Sequence, residues 1–236
     1  MLILALESSA TACSAALCRD GELTAQVYAN SGLTHSRTLL PMVESMLVNS
    51  GTKLDDVDVI AVAAGPGSFT GLRIGVATAK GLAWKGDKDC APCSTLESMA
   101  WPLAHLEGRV IVCAMDARRS QVYNALFLAA GEGLQRLTPD RAIGLDQLGE
   151  ELKKVEKEKI VVGDGARLCY NTLTEQGITL KMAPEHLRMQ SAWGVARAAL
   201  ELVRSGGLVS GEELAPVYCR LSQAERERLE REAKSK

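Results

Sequence analysis

The chain has 236 residues, 47% hydrophobic and 24% charged, a globular composition that excludes a chain disordered throughout. Lysine and arginine total 27 against 29 acidic residues, a formal net charge of -2, so no basic excess marks a protein that grips nucleic acid by charge alone. Aromatic residues are only 4%, little material for a base-stacking platform.

In chain order, Leu2 to Leu6 reads as a buried strand, Glu7-Ser8-Ser9-Ala10-Thr11 as a polar turn, and Cys13 to Leu17 as a second strand. Asp20-Gly21 signals a hairpin, with Leu23 to Tyr28 returning. A helix is predicted from about Ser36 to Val48, then an apolar strand from Val57 to Ala64. The turn Gly65-Pro66-Gly67-Ser68 leads into a helix from about Thr70 to Trp84. A short helix opens at Ser94, with Glu97 at capping-box spacing. From Val110 the pattern restarts: apolar strand to Met115, polar turn Asp116-Ala117-Arg118-Arg119-Ser120, strand Val122 to Leu128. Each beginning is an apolar strand ending on an acid, Glu7 or Asp116, which reads as an internal duplication. A helix near Asp146 to Val155, a strand Lys159 to Val162, and helices near Ala166 to Gln176 and Ala192 to Arg204 complete an α/β pattern. The break between halves falls at Leu106-Glu107-Gly108, giving 1–106 and 107–236. The charged tail from Gln223 reads as a solvated terminal helix, expected to pack back on the first half, or as a docking segment for a partner.

The apolar N-terminus ends at Glu7 with no cationic stretch before it, so it reads as a strand rather than a signal peptide. No apolar run is long enough for a bilayer. Seven cysteines, an odd count set mostly in apolar stretches, suggest buried thiols in a reducing compartment. The expectation is a cytoplasmic protein without a membrane partner.

The densest motif is the run Gly65 to Gly75. Strand, glycine-rich turn and helix N-terminus make an anion site in principle. P-loop spacing and its Lys-Ser/Thr pair are absent, so a tight turn that allows close packing is the competing reading. On the first long helix Leu39, Leu40, Met42, Val43, Met46 and Leu47 cover a broad apolar arc. The second is apolar nearly all round, with Arg73 and Lys80 as a polar edge and Gly71, Gly75 and Ala79 as a line of small residues. Such faces are either buried within the chain or form a subunit interface. Cys90 and Cys93 have the spacing of a redox or half-zinc motif, but no second pair completes it. Histidines 35, 105 and 186 lack ligand spacing, and no Gly-x-Ser-x-Gly elbow supports a catalytic triad. Glu7 and Asp116 could hold magnesium across a cleft, or serve as turn residues.

Leu4-Ala5-Leu6-Glu7-Ser8-Ser9, the Gly65 to Gly75 run, Ala79-Lys80-Gly81-Leu82, Asp116-Ala117-Arg118 with Gln121-Val122-Tyr123, and Pro216-Val217-Tyr218-Cys219-Arg220 occur together and in order. With them the chain resembles, over nearly its full length, the bacterial TsaB (YeaZ) family of tRNA threonylcarbamoyladenosine biosynthesis. The resemblance implies two duplicated α/β halves of the actin, sugar-kinase and heat-shock ATPase superfamily, the second degenerate. It implies a non-catalytic subunit that pairs with the catalytic paralogue TsaD, joined by the ATPase TsaE, and that reaches tRNA only through the complex. ATP and metal are expected on those partners and no cofactor on this chain. Thr95 and Met99 stand where the paralogue carries its metal-binding histidines. The implied interface comprises Leu39, Leu40, Met42, Val43 and Met46 with Thr70, Gly71, Leu72, Arg73, Gly75, Val76, Ala79 and Lys80. A homodimer through the same face is expected when the partner is absent. Glu7, Ser8 and Asp116 are the implied remnant of a nucleotide cleft, although Glu7 stands where many members carry Asp. The competing classes are a magnesium-dependent kinase or ATPase built on Glu7 and Asp116, and a metallopeptidase, which needs a metal site that the sequence does not offer.

Overall fold

A computed structural model of the chain describes residues 1–220; the charged tail from Gln223 lies outside the described residues. The first sheet is built from β1 (Leu2–Glu7), β2 (Cys13–Arg19), β3 (Glu22–Ala29), β4 (Val59–Gly65) and β5 (Asp89–Ser94), in the order β3-β2-β1-β4-β5. β1 to β3 are antiparallel neighbours, while β4 and β5 add in parallel. The Asp20-Gly21 hairpin turn has positive φ at both residues, the type I′ geometry that matches strand twist. Helices α1 (His35–Asn49) and α2 (Phe69–Trp84) cover one face through Leu39, Val43, Met46, Val76, Ala79 and Ala83. Strand residues alternate faces, so Leu2, Leu4 and Leu6 meet these helices while Ile3 and Ala5 face the other way.

The second half repeats the plan. Its sheet runs β11-β10-β6-β7-β8, with β9 also paired to β7. The strands are β6 (Val110–Asp116), β7 (Gln121–Ala129), β8 (Leu134–Arg136), β9 (Arg141–Gly144), β10 (Lys159–Val162) and β11 (Lys181–Met182). Helices α4 (Leu145–Lys153) and α5 (Ala166–Glu175) cover its outer face. Strand for strand, β6-β7-β8-β10-β11 repeats β1-β2-β3-β4-β5, the internal duplication that the sequence announces.

Two helices pack across the 106/107 break expected from the sequence. α3 (Thr95–Ala100), from the first half, packs on the second sheet through Leu96, Met99 and Ala100. After the short α6 (Glu185–Arg188), α7 (Ala192–Ser205), from the second half, covers the inner face of the first sheet through Val195, Ala196 and Ala199. They meet at Gly194, where a Cβ would strike the Ser98 carbonyl. Among the described residues it is α7 that packs back on the first half.

Five elements escape sequence reasoning: β5, β8, β9, β11 and α6. In β5, Pro92 reads as a breaker, but this is an edge strand, where proline's missing N–H is harmless. Cys90 and Cys93, three apart on β5, fall on opposite faces of the sheet in two different cores. They cannot share a metal ion. Burial pushes the Cys90 thiol up to about 11 and that of Cys93 higher. All seven cysteines are free thiols, six of them buried. No helix among the described residues is long and apolar enough to cross a membrane.

Candidate functional site

Two regions gather the residues singled out from sequence: the cleft between the sheets and the α1–α2 layer. The cleft has a volume of about 750 Å³ and is lined by Ser9, Gly67, Ser68 and Phe69 on one side and Asp116, Arg118, Asp164 and Arg220 on the other. Ser68 caps α2, its Oγ accepting from the Gly71 N–H at 3.3 Å. The glycine run is used inside the chain. A Cβ on Gly67 would come within 2.6 Å of the Ser9 carbonyl, and one on Gly65 would strike the Val217 backbone. In the second half, Gly163 presses on the Ala114 carbonyl and Gly165 on the Asp116 amide. Both glycine turns serve close backbone packing.

Glu7 and Asp116 do not form a carboxylate pair across the cleft. Glu7 is fully buried. Its Oε1 accepts from the Ser9 N–H at 2.6 Å, and its Oε2 has no hydrogen-bond partner. Burial above all pushes its carboxyl up to about 7, with the nearby Asp164 adding to the rise. A carboxyl that burial keeps partly neutral at pH 7 is poor material for magnesium. Asp116 is exposed and ties its own turn, Oδ1 accepting from the Arg118 N–H at 2.7 Å. There Arg118, Arg119 and Ser120 all take positive φ, +54 to +66°, a strained run for side-chain-bearing residues. The acid that Glu7 senses across the sheets is Asp164, which accepts from Gln190 Nε2 at 2.9 Å and is itself raised by burial. Among the described residues no three His, Cys, Asp or Glu side chains are placed to share a metal ion. Thr95 and Met99 are buried in the core.

Ser8 joins the cleft to the helix layer. Its Oγ donates to the Gly71 carbonyl at 2.9 Å. A Cβ on Gly71 would strike the Ser8 carbonyl, and one on Gly75 would lie 2.5 Å from Ser8 Oγ. The Gly71, Gly75, Ala79 line therefore lets α2 approach its own sheet. This corrects the interface reading for eight residues. Leu39, Val43, Met46, Gly71, Leu72, Gly75, Val76 and Ala79 are buried within the chain and leave little surface for a partner.

Arg73 and Lys80 are also engaged. Residues 209–220 run back along α2. Val209 pairs with Cys90 on the free edge of β5, and the Val217 N–H donates to the Ala64 carbonyl at 2.7 Å. Lys80 Nζ donates to the Glu212 carbonyl at 3.0 Å, and Arg73 Nε to Tyr218 Oη at 3.1 Å. Tyr218 stacks on Phe69 with centroids 4.4 Å apart. This strap contains the Pro216 to Arg220 motif. Its role needs the fold to be seen, since its contacts span over a hundred residues.

The outer layer that remains carries Leu40 and Thr70 from the sequence reading, with Met42 half-buried at its margin. To these the structure adds Val48, 79% exposed, and Trp84, 88% exposed, at the C-terminal ends of the two helices. Ala77 and Gly81 lie exposed on the same helix as Trp84. α1 and α2 run in the same direction, with His35 beside Gly71 at their N-terminal ends.

The comparisons agree with this architecture. The family model of tRNA N6-adenosine threonylcarbamoyltransferase, TsaD, matches residues 29–227. The chain is 32% identical to the tRNA threonylcarbamoyladenosine biosynthesis protein TsaB of Escherichia coli, over 93% of this chain and 95% of that one. It is 32% identical to the TsaB of Bacillus subtilis, over 98% and 99%. The solved structure of YeaZ from Pseudomonas aeruginosa superposes with a TM-score of 0.75 at 26% identity, covering 92% of this chain and 99% of that one.

Proposed function

The chain belongs to the TsaB (YeaZ) family of tRNA threonylcarbamoyladenosine biosynthesis proteins, and on that premise we propose that it serves the modification as a non-catalytic scaffold. It pairs with the catalytic paralogue TsaD through the outer faces of α1 and α2, and the pair recruits the ATPase TsaE. ATP and metal belong to those partners. Two copies of this chain pair through the same face when TsaD is absent.

The observation that carries this reading is the contrast within one layer. The inner residues of α1 and α2 are used by the chain's own sheet, while Leu40, Val48 and Trp84 and the small residues Ala77 and Gly81 are exposed. A tryptophan left 88% exposed at the end of a helix is the type of side chain that anchors protein interfaces. The family model that matches is that of TsaD itself, so the partner shares this fold and can offer equivalent helices in a pseudo-symmetric contact. The competing reading, a magnesium-dependent kinase or ATPase using Glu7 and Asp116, is disfavoured by a Glu7 that is fully buried and held by the Ser9 N–H, while Asp116 ties its own turn.

Size-exclusion chromatography with light scattering, on this chain alone and mixed with TsaD, tests the proposal. A one-to-one complex is expected, and Trp84→Asp should shift it toward separate chains. A stable monomer that ignores TsaD rejects the scaffold reading. Magnesium-dependent ATP binding by the isolated chain in calorimetry would revive the kinase reading.

A further inference from the structure

The fold brings together what the sequence scatters. Two of the chain's three tryptophans, Trp101 and Trp193, meet Tyr28 around a pair of adjoining hollows of about 870 and 470 Å³ that share Pro102 and Trp193. The hollows lie on the inner side of the first sheet, at edge strand β3 and helix α7. That is the side away from α1 and α2, so a partner docked on those helices leaves the hollows open.

Their chemistry is donor-rich and aromatic. Tyr28 is 45% exposed on the edge strand. Arg197 places its guanidinium 4.8 Å from the centroid of the Trp101 ring and 5.7 Å from that of Trp193. No carboxylate pairs with it among the described residues. Arg188 lines the larger hollow with a buried Nε that has no hydrogen-bond partner. The buried Trp101 Nε1 also has none. Arg204 is already paired with Glu201. Glu185 lines one hollow and Glu132 the other, and neither is paired with an arginine; such acids accept from base amino groups and 2′-hydroxyls. Guanidinium groups without acceptors suit phosphate. Aromatic faces beside them suit unstacked bases, the mode in which proteins read single-stranded RNA.

We propose that these hollows bind an unpaired stretch of RNA, with bases stacked on Tyr28 and Trp193 and backbone phosphates on Arg188 and Arg197. The choice of RNA rests on the family's place in tRNA modification, but the contact does not depend on pairing with TsaD. This chain then supplies a direct tRNA contact of its own. The net charge of -2 does not oppose this, because the cations are local and the stacking is not ionic.

Fluorescence anisotropy with a labelled, unmodified tRNA transcript and a labelled single-stranded RNA, titrated with the full isolated chain, tests the assignment. Both RNAs should bind, with quenching of tryptophan fluorescence and little affinity for duplex DNA. Tyr28→Ala, on an exposed edge-strand position, should weaken binding about tenfold. Arg197→Gln should flatten the salt dependence by roughly 0.7 in log–log slope, the loss of one phosphate contact to a single strand. Should that variant fold poorly by circular dichroism, Arg188→Gln gives the same readout. Lys153→Gln, on the distant α4, should bind as the parent does. No binding of either RNA, equal binding of duplex DNA, or parental affinity in both the Tyr28 and arginine variants would overturn the proposal. Because TsaD is absent from this assay, its failure is separate from any failure of the scaffold reading.

Discussion

α2 has two faces built from the same kind of residue. On the inner face Gly71, Gly75 and Ala79 let the helix press against the end of β1, where Ser8 fills the space a side chain would need. On the outer face Ala77 and Gly81 are just as small, but beyond the helix's own backbone no described residue lies within 4 Å of a Cβ at Gly81. Small residues at helical spacing announce a close approach without saying what approaches. The first line belongs to the fold and the second is free for a partner.

The sharpest way to break this comparison is to place a charge on each face. Gly75→Glu would force a carboxylate into Ser8 and Val62. It should cost more than about 4 kcal/mol and leave no cooperative unfolding transition in urea. A folded Gly75→Glu chain that merely fails to bind TsaD would return Gly75 to the interface and refute the inner-face assignment.

Across the sheet from α2, at the end of β1, sits Glu7, and its effect depends on pH. The folded chain holds this carboxyl at about 7, against 4.5 for an ordinary glutamate. The protonated form is therefore favoured by folding. Its contribution is fully present below about pH 4.5 and is lost as pH rises through about 7, a total of roughly 3 kcal/mol. Glu7→Gln, neutral throughout, should match the parent near pH 4.5 and exceed it by up to about 3 kcal/mol at pH 8. Urea midpoints across that range check the sign, and a parent chain that gains on the variant at high pH would reject it.

The outer face should answer in binding rather than stability. Trp84→Asp removes a side chain that is already in water, so the unfolding free energy should move by no more than about 0.5 kcal/mol. Affinity for TsaD should fall by about 2 kcal/mol, or roughly thirtyfold, if Trp84 anchors the contact. Calorimetry on the two purified chains separates these effects, and equal affinity for parent and variant would remove Trp84 from the interface.

The duplicated α/β plan was legible because its signals are local. Apolar strands, the Asp20-Gly21 turn and the caps at Ser68 and Ser94 each declare themselves within a few residues. The first helix is half legible in the same way. Its apolar arc is visible in the sequence, but only the sheet decides that Leu39 and Val43 are covered and Leu40 is not. At the cleft the sequence left two readings open, magnesium ligands or turn residues, and only the fold separates them. Glu7 and Asp116 occupy equivalent strand ends in the duplication, yet Glu7 turns into the protein and Asp116 into its own turn. The Trp101, Trp193 and Arg197 cluster left no signal at all, since its members come from opposite sides of the proposed break.

The strap along α2 draws the boundary between the two faces, and it gives the smallest effect. Tyr218 stacks on Phe69 and accepts from Arg73 Nε, all on the exposed flank of the helix. Tyr218→Ala should cost about 1 kcal/mol, the range of a partly solvated aromatic pair. A double-mutant cycle with Phe69→Leu isolates that pair from the rest of the strap. If the coupling is near zero, the strap is held by its backbone bonds to Ala64 and Cys90, and Arg73 is freed for a partner. A coupling near 1 kcal/mol instead keeps Arg73 with its own chain and narrows the docking surface to the outer ridge that ends at Trp84.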